Sequence, residues 1–360
     1  MAESRKSPPI ISVPAFVIFL VCFSTALFFV NEYIFERFFS AAGVTVKLPL
    51  LITISAFPAI LFVLSTYLSR KHEGRLLLGA YYAASFWLGF SVFAFPALVL
   101  SDLASVLLPG IKQVLHAVIL AGSLVTAVYA SFKAGRLKIT ELSVPLGKGL
   151  TVVQVSDAHY GIINGRECLA ELVKLVNSFK PDIICFTGDL VDGTKVINET
   201  TFLPLKELNA PAFFVSGNHE MIDGLEIVLP ALEKGGVKVL DGEEVEVKGI
   251  RVIGLGYSWD KKSPGKFLDS HKSDSRPSVF LLHEPVEAEK AAEKGISLML
   301  SGHTHAGQII PFNLLVKIPY KYIAGRYQVG KMVLNVSTGF GTWGPRMRLG
   351  SDCEINVIKI

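Results

Sequence analysis

Eight side chains in this 360-residue sequence have types and spacing suited to chemistry: Asp157, His159, Asp189, Asn218, His219, His283, His303 and His305. Carboxylates, imidazoles and one amide make a mixed oxygen and nitrogen donor set without thiolate. Such a set favours Mn²⁺, Fe or Zn²⁺ over a cysteine-rich structural zinc site, and its histidines argue against Mg²⁺ or Ca²⁺ alone. The donors outnumber what one tetrahedral ion can use, but they suit two ions sharing a bridging carboxylate. A metal pair roughly 3.5–4 Å apart is a device for in-line attack on phosphorus, because it acidifies a bridging water and neutralises charge as it develops.

Positioning these groups falls to five apolar runs, each ending directly in Asp, Asn or His. They are Val152–Val155 before Asp157 and His159, Ile183–Phe186 before Asp189, Phe213–Val215 before Asn218 and His219, Val279–Leu282 before His283, and Leu298–Leu300 before His303 and His305. Short apolar runs of this kind read as buried strands, and strand ends are where α/β sheets build their sites. Helical patterns alternate with them, at Arg166–Phe179, near Phe202–Leu208, at Ile222–Lys234 and at Pro285–Lys294. Val237–Leu240, Glu244–Val247 and Arg251–Leu255 are short, alternating and joined by turns, the pattern of antiparallel strands. Met332–Val336 and Glu354–Ile358 complete a two-sheet sandwich flanked by helices, with the donor loops along one edge.

The first part of the chain is of another kind. Hydrophobic residues make up 51% of the whole, and mean hydropathy is +0.47, both high for a soluble protein. Four apolar runs account for this: Ile10–Val30, Leu48–Leu68, Leu76–Leu100 and Ile111–Phe132, each long enough to cross a bilayer. The first exceeds the usual apolar core of a signal peptide and is followed by further spans, so it reads as a retained helix. Pro58 and Pro96 lie inside these runs, where membrane helices tolerate them. The expected division is a four-helix transmembrane domain over 1–132, a linker or entering edge strand over 133–149, and an α/β domain over 150–360.

Charge sets the expected orientation. Arg5, Lys6, Arg70, Lys71, Arg75, Lys133, Arg136 and Lys138 fall on one side of the spans, against Arg37, Lys47 and Lys112 on the other. That bias of eight to three places both termini in the cytoplasm, and the protein in the inner (cytoplasmic) membrane with its α/β domain facing the cytoplasm. Residues 1–140 carry a net +6, from eleven Lys/Arg and five Asp/Glu, while the remainder carries −2. The basicity therefore belongs to the spans and gives no reason to expect nucleic acid as a partner. Cys22, Cys168, Cys185 and Cys353 are scattered, without a CxxC pair, and suit reduced thiols. His116, inside the fourth span, reads as an interfacial or interhelical polar contact.

The series Asp157-x-His159, Gly188-Asp189, Gly217-Asn218-His219-Glu220, His283 and Gly302-His303-x-His305 resembles the calcineurin-like metallophosphoesterase superfamily, in order and spacing, across about 155–305. The resemblance implies that Asp157, His159 and His305 hold one divalent ion and Asn218, His283 and His303 the other, with Asp189 bridging. It implies manganese, with zinc or iron as alternatives. His219 would contact the phosphate and help protonate the leaving oxygen. Ser301 to Gln308 and the tail from Gly339 to Arg348 further resemble the YkuE- and YaeI-like branch, which includes membrane-associated phosphodiesterases. A related enzyme cleaves the pyrophosphate of UDP-2,3-diacylglucosamine in lipid A synthesis. Asp192 and Glu220 read either as supporting groups or as part of the site, and Arg346 and Arg348 either as phosphate receivers or as surface residues.

Between His305 and that tail, Pro311–Tyr322 is apolar and aromatic with Lys317 and Lys321 interspersed. It reads either as a packed loop with solvated lysines or as a lip that touches lipid. Four spans serve an enzyme best when its substrate shares the membrane. The expectation is therefore a metal-dependent phosphoesterase whose partners are the bilayer and a lipid-linked phosphate substrate, UDP-2,3-diacylglucosamine being the named candidate. The alternatives are a phosphodiesterase on other phospholipids or small soluble substrates, and a membrane sensor or scaffold with an inactive domain.

Overall fold

The structure is a computed structural model and describes residues 13–70, 72, 74–107, 109–161, 166–193, 197–272 and 276–360. Arg5, Lys6, Lys71 and the start of the expected first span lie outside the described residues. Two compact units divide the chain: Met1–Lys133 with Gly344–Met347, and Ala134–Trp343 with Arg348–Ile360.

The first unit is built on helices α1 (Val13–Ala41), α2 (Leu48–Ser69), α3 (Arg75–Ser105) and α4 (Lys112–Ala134). All four are long and apolar enough to cross a membrane. The shortest, at 22 residues, rises about 33 Å and so matches the ~30 Å hydrocarbon core. Apolar burial cannot drive association among lipid tails, so small residues and polar contacts must join such helices. Ala84, Ser85, Gly89, Ser91 and Ala94 are buried on α3, interleaved with the larger Tyr81, Phe90 and Leu98. Asn31 of α1 donates to the Ser55 carbonyl of α2 at 3.0 Å and accepts from the Trp87 indole of α3 at 2.9 Å. His116 meets Asp102 across α4 and α3, with Nε2 2.8 Å from Oδ1, an interhelical contact.

The second unit is a sandwich of two six-stranded sheets. Its elements are β1 (Leu137–Ser143), β2 (Thr151–Val155), β3 (Tyr160–Gly161), α5 (Arg166–Ser178), β4 (Ile183–Phe186), β5 (Val191–Asp192), β6 (Ala212–Phe214), α6 (Asn218–Asp223), α7 (Leu225–Lys234), β7 (Lys238–Val239), β8 (Glu243–Val247), β9 (Ile250–Leu255), α8 (Ser263–Ser270), β10 (Ser278–Leu282), α9 (Ala288–Glu293), β11 (Leu298–Ser301), α10 (Phe312–Val316), β12 (Gly325–Val329), β13 (Met332–Val336) and β14 (Cys353–Lys359). One sheet has the order β1-β14-β2-β4-β6-β7 and the other β12-β13-β11-β10-β9-β8. The strands that carry the donors run parallel to one another, β2, β4 and β6 in the first sheet and β10 and β11 in the second, while β14 on the other side of β2 is antiparallel to it.

Strand alternation explains the continuous apolar runs. Val152, Ile183, Cys185, Val279, Leu281, Leu298 and Leu300 fill the space between the sheets. Their neighbours Val153, Val155, Ile184 and Phe186 turn outward, into a core shared with Leu172 of α5 and Leu232 of α7. Phe280, Leu282 and Met299 do the same beneath Leu268 of α8 and Ala291 of α9. Both faces of each central strand are buried, and the polar residue inside β2, Gln154, is satisfied by Thr187, the Ser301 carbonyl and Asn335.

Of the two readings of 133–149, the edge strand is found at 137–143, where β1 runs parallel to β14. Two other readings of the pattern are corrected. Strand β7 is not antiparallel to β8 and β9; it joins the other sheet, parallel to β6, because α7 returns the chain across the sheet before it. The expected helix 222–234 begins earlier and breaks at Gly224, whose φ of +107° a helix cannot contain.

Candidate metal centre

All five donor-bearing strands deliver their loops to one cluster. Asp157 follows β2, and its carboxylate accepts from the His303 backbone N–H at 3.0 and 3.1 Å. His305 Nε2 lies 3.4 Å from Asp157 Oδ1 and 3.1 Å from His159 Nε2. On the other side, His283 Nε2 is 3.2 Å from Asp189 Oδ2, 3.3 Å from Asn218 Oδ1 and 3.1 Å from His303 Nδ1. Donor atoms of Asp157, His159 and His305 lie within 4.8 Å of one another. The same holds for Asp189, His283 and His303, and for His159, Asp189 and His219. Asp189 therefore stands at the junction of the two halves.

Local backbone geometry turns these groups inward. Asp157, His159, Asp189, His303 and His305 all have positive φ, between 47° and 69°, a region that costs a non-glycine residue about 1–2 kcal/mol and concentrates at functional sites. Close approach also requires glycine between them. A Cβ at Gly302 would collide with Ser156 Oγ and Asp157 Oδ2, and one at Gly217 with the Asp189 carboxylate.

The surrounding hydrogen bonds fix ring orientation. His283 Nδ1 donates to the Thr187 carbonyl at 2.7 Å, which turns Nε2 toward the cluster. Arg348 is fully buried; it donates to His305 Nδ1 and the His305 carbonyl, each at 3.1 Å, and to the Gly341 carbonyl at 2.6 Å. A guanidinium only donates, so Nδ1 accepts and Nε2 is the atom facing His159 and Asp157. This excludes the reading of Arg348 as a phosphate receiver. Arg346 is exposed.

Glu220 is a supporting group: its buried carboxylate accepts the backbone N–H of Asp189, Val191 and Gly217 at 2.7–3.0 Å, tying two donor loops together. Asp192 Oδ1 lies 3.4 Å from His219 Nδ1, where it orients that ring. Glu284 was hidden from the motif pattern although it directly follows His283. It accepts from Tyr320 Oη at 2.6 Å and from Lys261 Nζ at 2.8 Å, and stands 3.6 Å from His303 Nε2. Lys261 and Tyr320 carry no sequence signal for this role. Beside them opens a shallow cleft lined by Tyr257, Lys261, His283 and Glu284.

The electrostatics separate the imidazoles into two kinds. Burial and the neighbouring His219 push His159 down to about 3, and burial with His283 pushes His303 down to about 4. Burial and the Arg348 charge hold His305 well below the usual histidine range. These three rings are neutral, as metal ligation requires. Burial alone would also lower His219 and His283, but the Asp189 carboxylate outweighs it and raises them to about 9 and about 10. Their positive charge in turn overcomes burial to hold Asp189 well below the usual carboxylate range. Asp157 is pushed up to about 6, chiefly by burial. A divalent cation beside His283 and Asp189 would take the place of the imidazolium proton. The donor set, its convergence and its neutral rings fit two such ions.

Comparison with known proteins agrees with this geometry. The model of the calcineurin-like phosphoesterase family matches residues 150–307. A metallophosphoesterase of Helicobacter pylori (strain ATCC 700392 / 26695) is similar at 32% identity over 62% of this chain and 64% of its own length. The chain thus spans less than two thirds of that relative. The metallophosphoesterase YkuE of Bacillus subtilis (strain 168) is 32% identical over 59% of this chain and 79% of its own length. A bovine transmembrane protein with metallophosphoesterase domain is 31% identical over 60% of this chain and 55% of its own.

Proposed function

From the premise that the chain belongs to the calcineurin-like metallophosphoesterases, we propose that it hydrolyses a phosphodiester or pyrophosphate bond in a lipid-linked substrate. The observation that carries the reading is Asp189 at the junction of two donor triads. Asp157, His159 and His305 would hold one divalent ion, Asn218, His283 and His303 the other, and Asp189 both. Manganese suits this donor set, as do zinc and iron. When bound, such a pair supplies Lewis acidity toward phosphorus and neutralises phosphate charge.

The chain's own groups do the rest. His219 lies between the Asp189 and Asp192 carboxylates, where it is placed to hold a proton, and Asp192 keeps its ring turned into the cluster. It delivers that proton to the leaving oxygen, a general-acid role. Glu220 holds the Asp189 and Asn218 loops at a fixed separation, so the two halves keep the spacing that in-line attack demands.

The four apolar helices support a substrate in the same membrane, since anchoring concentrates the site only for neighbours in that plane. UDP-2,3-diacylglucosamine is the first compound to test, and the eight-to-three charge bias supports inner-membrane placement with a cytoplasmic site. Purified full-length protein with Mn²⁺ is assayed on bis-p-nitrophenyl phosphate, then on UDP-diacylglucosamine, phospholipids and cyclic nucleotides. Release of UMP and the lipid 1-phosphate supports the named substrate. Faster cleavage of water-soluble diesters, indifferent to bilayer composition, refutes the lipid-directed reading. Absence of any metal-dependent turnover with both ions bound leaves a scaffold.

A further inference from the structure

The loop that follows the metal centre carries apolar side chains that the protein leaves uncovered. Ile310 is 43% exposed, Phe312 44%, Leu314 60%, Leu315 55% and Ile318 80%. Helix α10 has no buried residue. Scattered exposed apolar residues are ordinary, whereas clusters mark interaction surfaces. Among the described residues of the second unit, ten large apolar side chains are exposed, and these five lie within nine consecutive positions.

This segment is held at both ends by the metal centre's own supports. At its start, the Ile310 N–H donates to the Leu349 carbonyl at 2.9 Å, and Ile310 lies where a Cβ on Gly350 would touch it. Helix α10 sits directly on Gly307, whose φ of +75° and contact with Asn313 leave no room for a side chain. At its end, Tyr320 donates to Glu284 at 2.6 Å, and the Ile323 carbonyl accepts from Thr304 Oγ1. The apolar residues are therefore presented on a fixed support. Gln308 links the segment to one more exposed aromatic. It donates to the Trp343 carbonyl at 2.8 Å and accepts the Trp343 N–H at 2.9 Å. Trp343 is 57% exposed, with its ring 6.5 Å from that of His219.

We propose that Ile310, Phe312, Leu314, Leu315 and Ile318 form a lip that enters the headgroup and acyl boundary of the bilayer holding the same chain. Three observations select lipid as the occupant. Helix α4, long and apolar enough to cross a membrane, ends at Ala134 and β1 begins at Leu137, three Cα steps or about 11 Å later, so the chain tethers the second unit closely to that helix. Lys317, between Leu315 and Ile318, is exposed and placed for a phosphate headgroup as such lysines are at interfaces, while Lys321 pairs with Glu289 beside it. Tyr320, Tyr322 and Trp343 border the segment, the aromatic types enriched at membrane surfaces. The lip rests on the lipid-directed reading only for its catalytic consequence: a substrate drawn from the acyl layer would pass Trp343 on its way to His219.

The test uses the full chain in nanodiscs of phosphatidylethanolamine and phosphatidylglycerol. A nitroxide is placed through Leu315→Cys, or through Ile222→Cys as an exposed apolar control on the same unit, with Cys22→Ala in both. Accessibility to dissolved oxygen and to a water-soluble nickel chelate is then compared. Oxygen-favoured access at position 315 and chelate-favoured access at position 222 are expected. Chelate-favoured access at both positions overturns the lip, and spin–spin broadening at 315 assigns the surface to a second copy instead. Failure of every lipid substrate would sink the proposed function while leaving this readout intact. Where a lipid substrate is cleaved, Leu314→Glu with Leu315→Glu lowers the ratio of lipid-borne to soluble turnover by about tenfold or more; an unchanged ratio counts against the lip.

Discussion

Two clusters of ionisable side chains among the described residues, one in each unit, are built on opposite principles. In the helical unit, Asp102 accepts from Tyr33 at 2.7 Å and from Arg37 at 3.0 and 2.8 Å, and pairs with His116 at 2.8 Å and Lys112 at 3.3 Å. Each carboxylate oxygen meets hydrogen-bond donors, and Arg37 also rests on the Tyr33 ring at 3.5 Å. In the second unit, ring nitrogens face one another, His159 against His305 and His283 against His303, each at 3.1 Å. A carboxylate ringed by donors holds helices together. A convergent cluster concentrates lone pairs on a point, and a cation at that point would satisfy them.

The sharpest way to break this contrast is Asp189→Ala, which removes the carboxylate that lies against both His159 and His219 on one side and His283 and His303 on the other. Turnover is expected to fall by more than about a thousandfold, with metal content by mass spectrometry falling as well; near-normal turnover would refute the bridging role. His219→Gln comes next. It should lower kcat by ~10²–10⁴-fold while leaving metal content intact, which separates proton transfer from metal binding. Parallel loss of metal would make His219 a ligand instead. Asp102→Ala should act in the reverse sense. Removing it deprives Arg37 and His116 of the carboxylate they share, at a cost of about 1–3 kcal/mol seen as a lower Tm in detergent, with metal stoichiometry unchanged. Smallest is Arg346→Ala, an exposed position, for which turnover should stay within about twofold; a larger drop would restore its phosphate-receiving role.

The donors were legible in the sequence because each sits at the end of its own apolar run. One strand and one turn, such as Leu298–Ser301 into His303, encode both the element and the ligand. The supports were not. Arg348 reaches His305 from 43 positions away, and Tyr320 reaches Glu284 from 36, distances over which local pattern carries no information. The placing of β7 beside β6 and of β1 beside β14 depends on sheet order, which alternation alone does not specify. Strand β12 and helices α8 and α10 were likewise unread. Exposure of α10 was undecidable from its composition, since an apolar run looks the same whether packed or presented to lipid.

The central claim is that Asp189 is shared by two ions. Anomalous diffraction from crystals of the manganese-loaded protein tests it directly. Two manganese peaks roughly 3.5–4 Å apart, one beside Asp157, His159 and His305 and the other beside Asn218, His283 and His303, with Asp189 touching both, are the expected result. A single peak, or peaks that Asp189 does not join, would contradict the account.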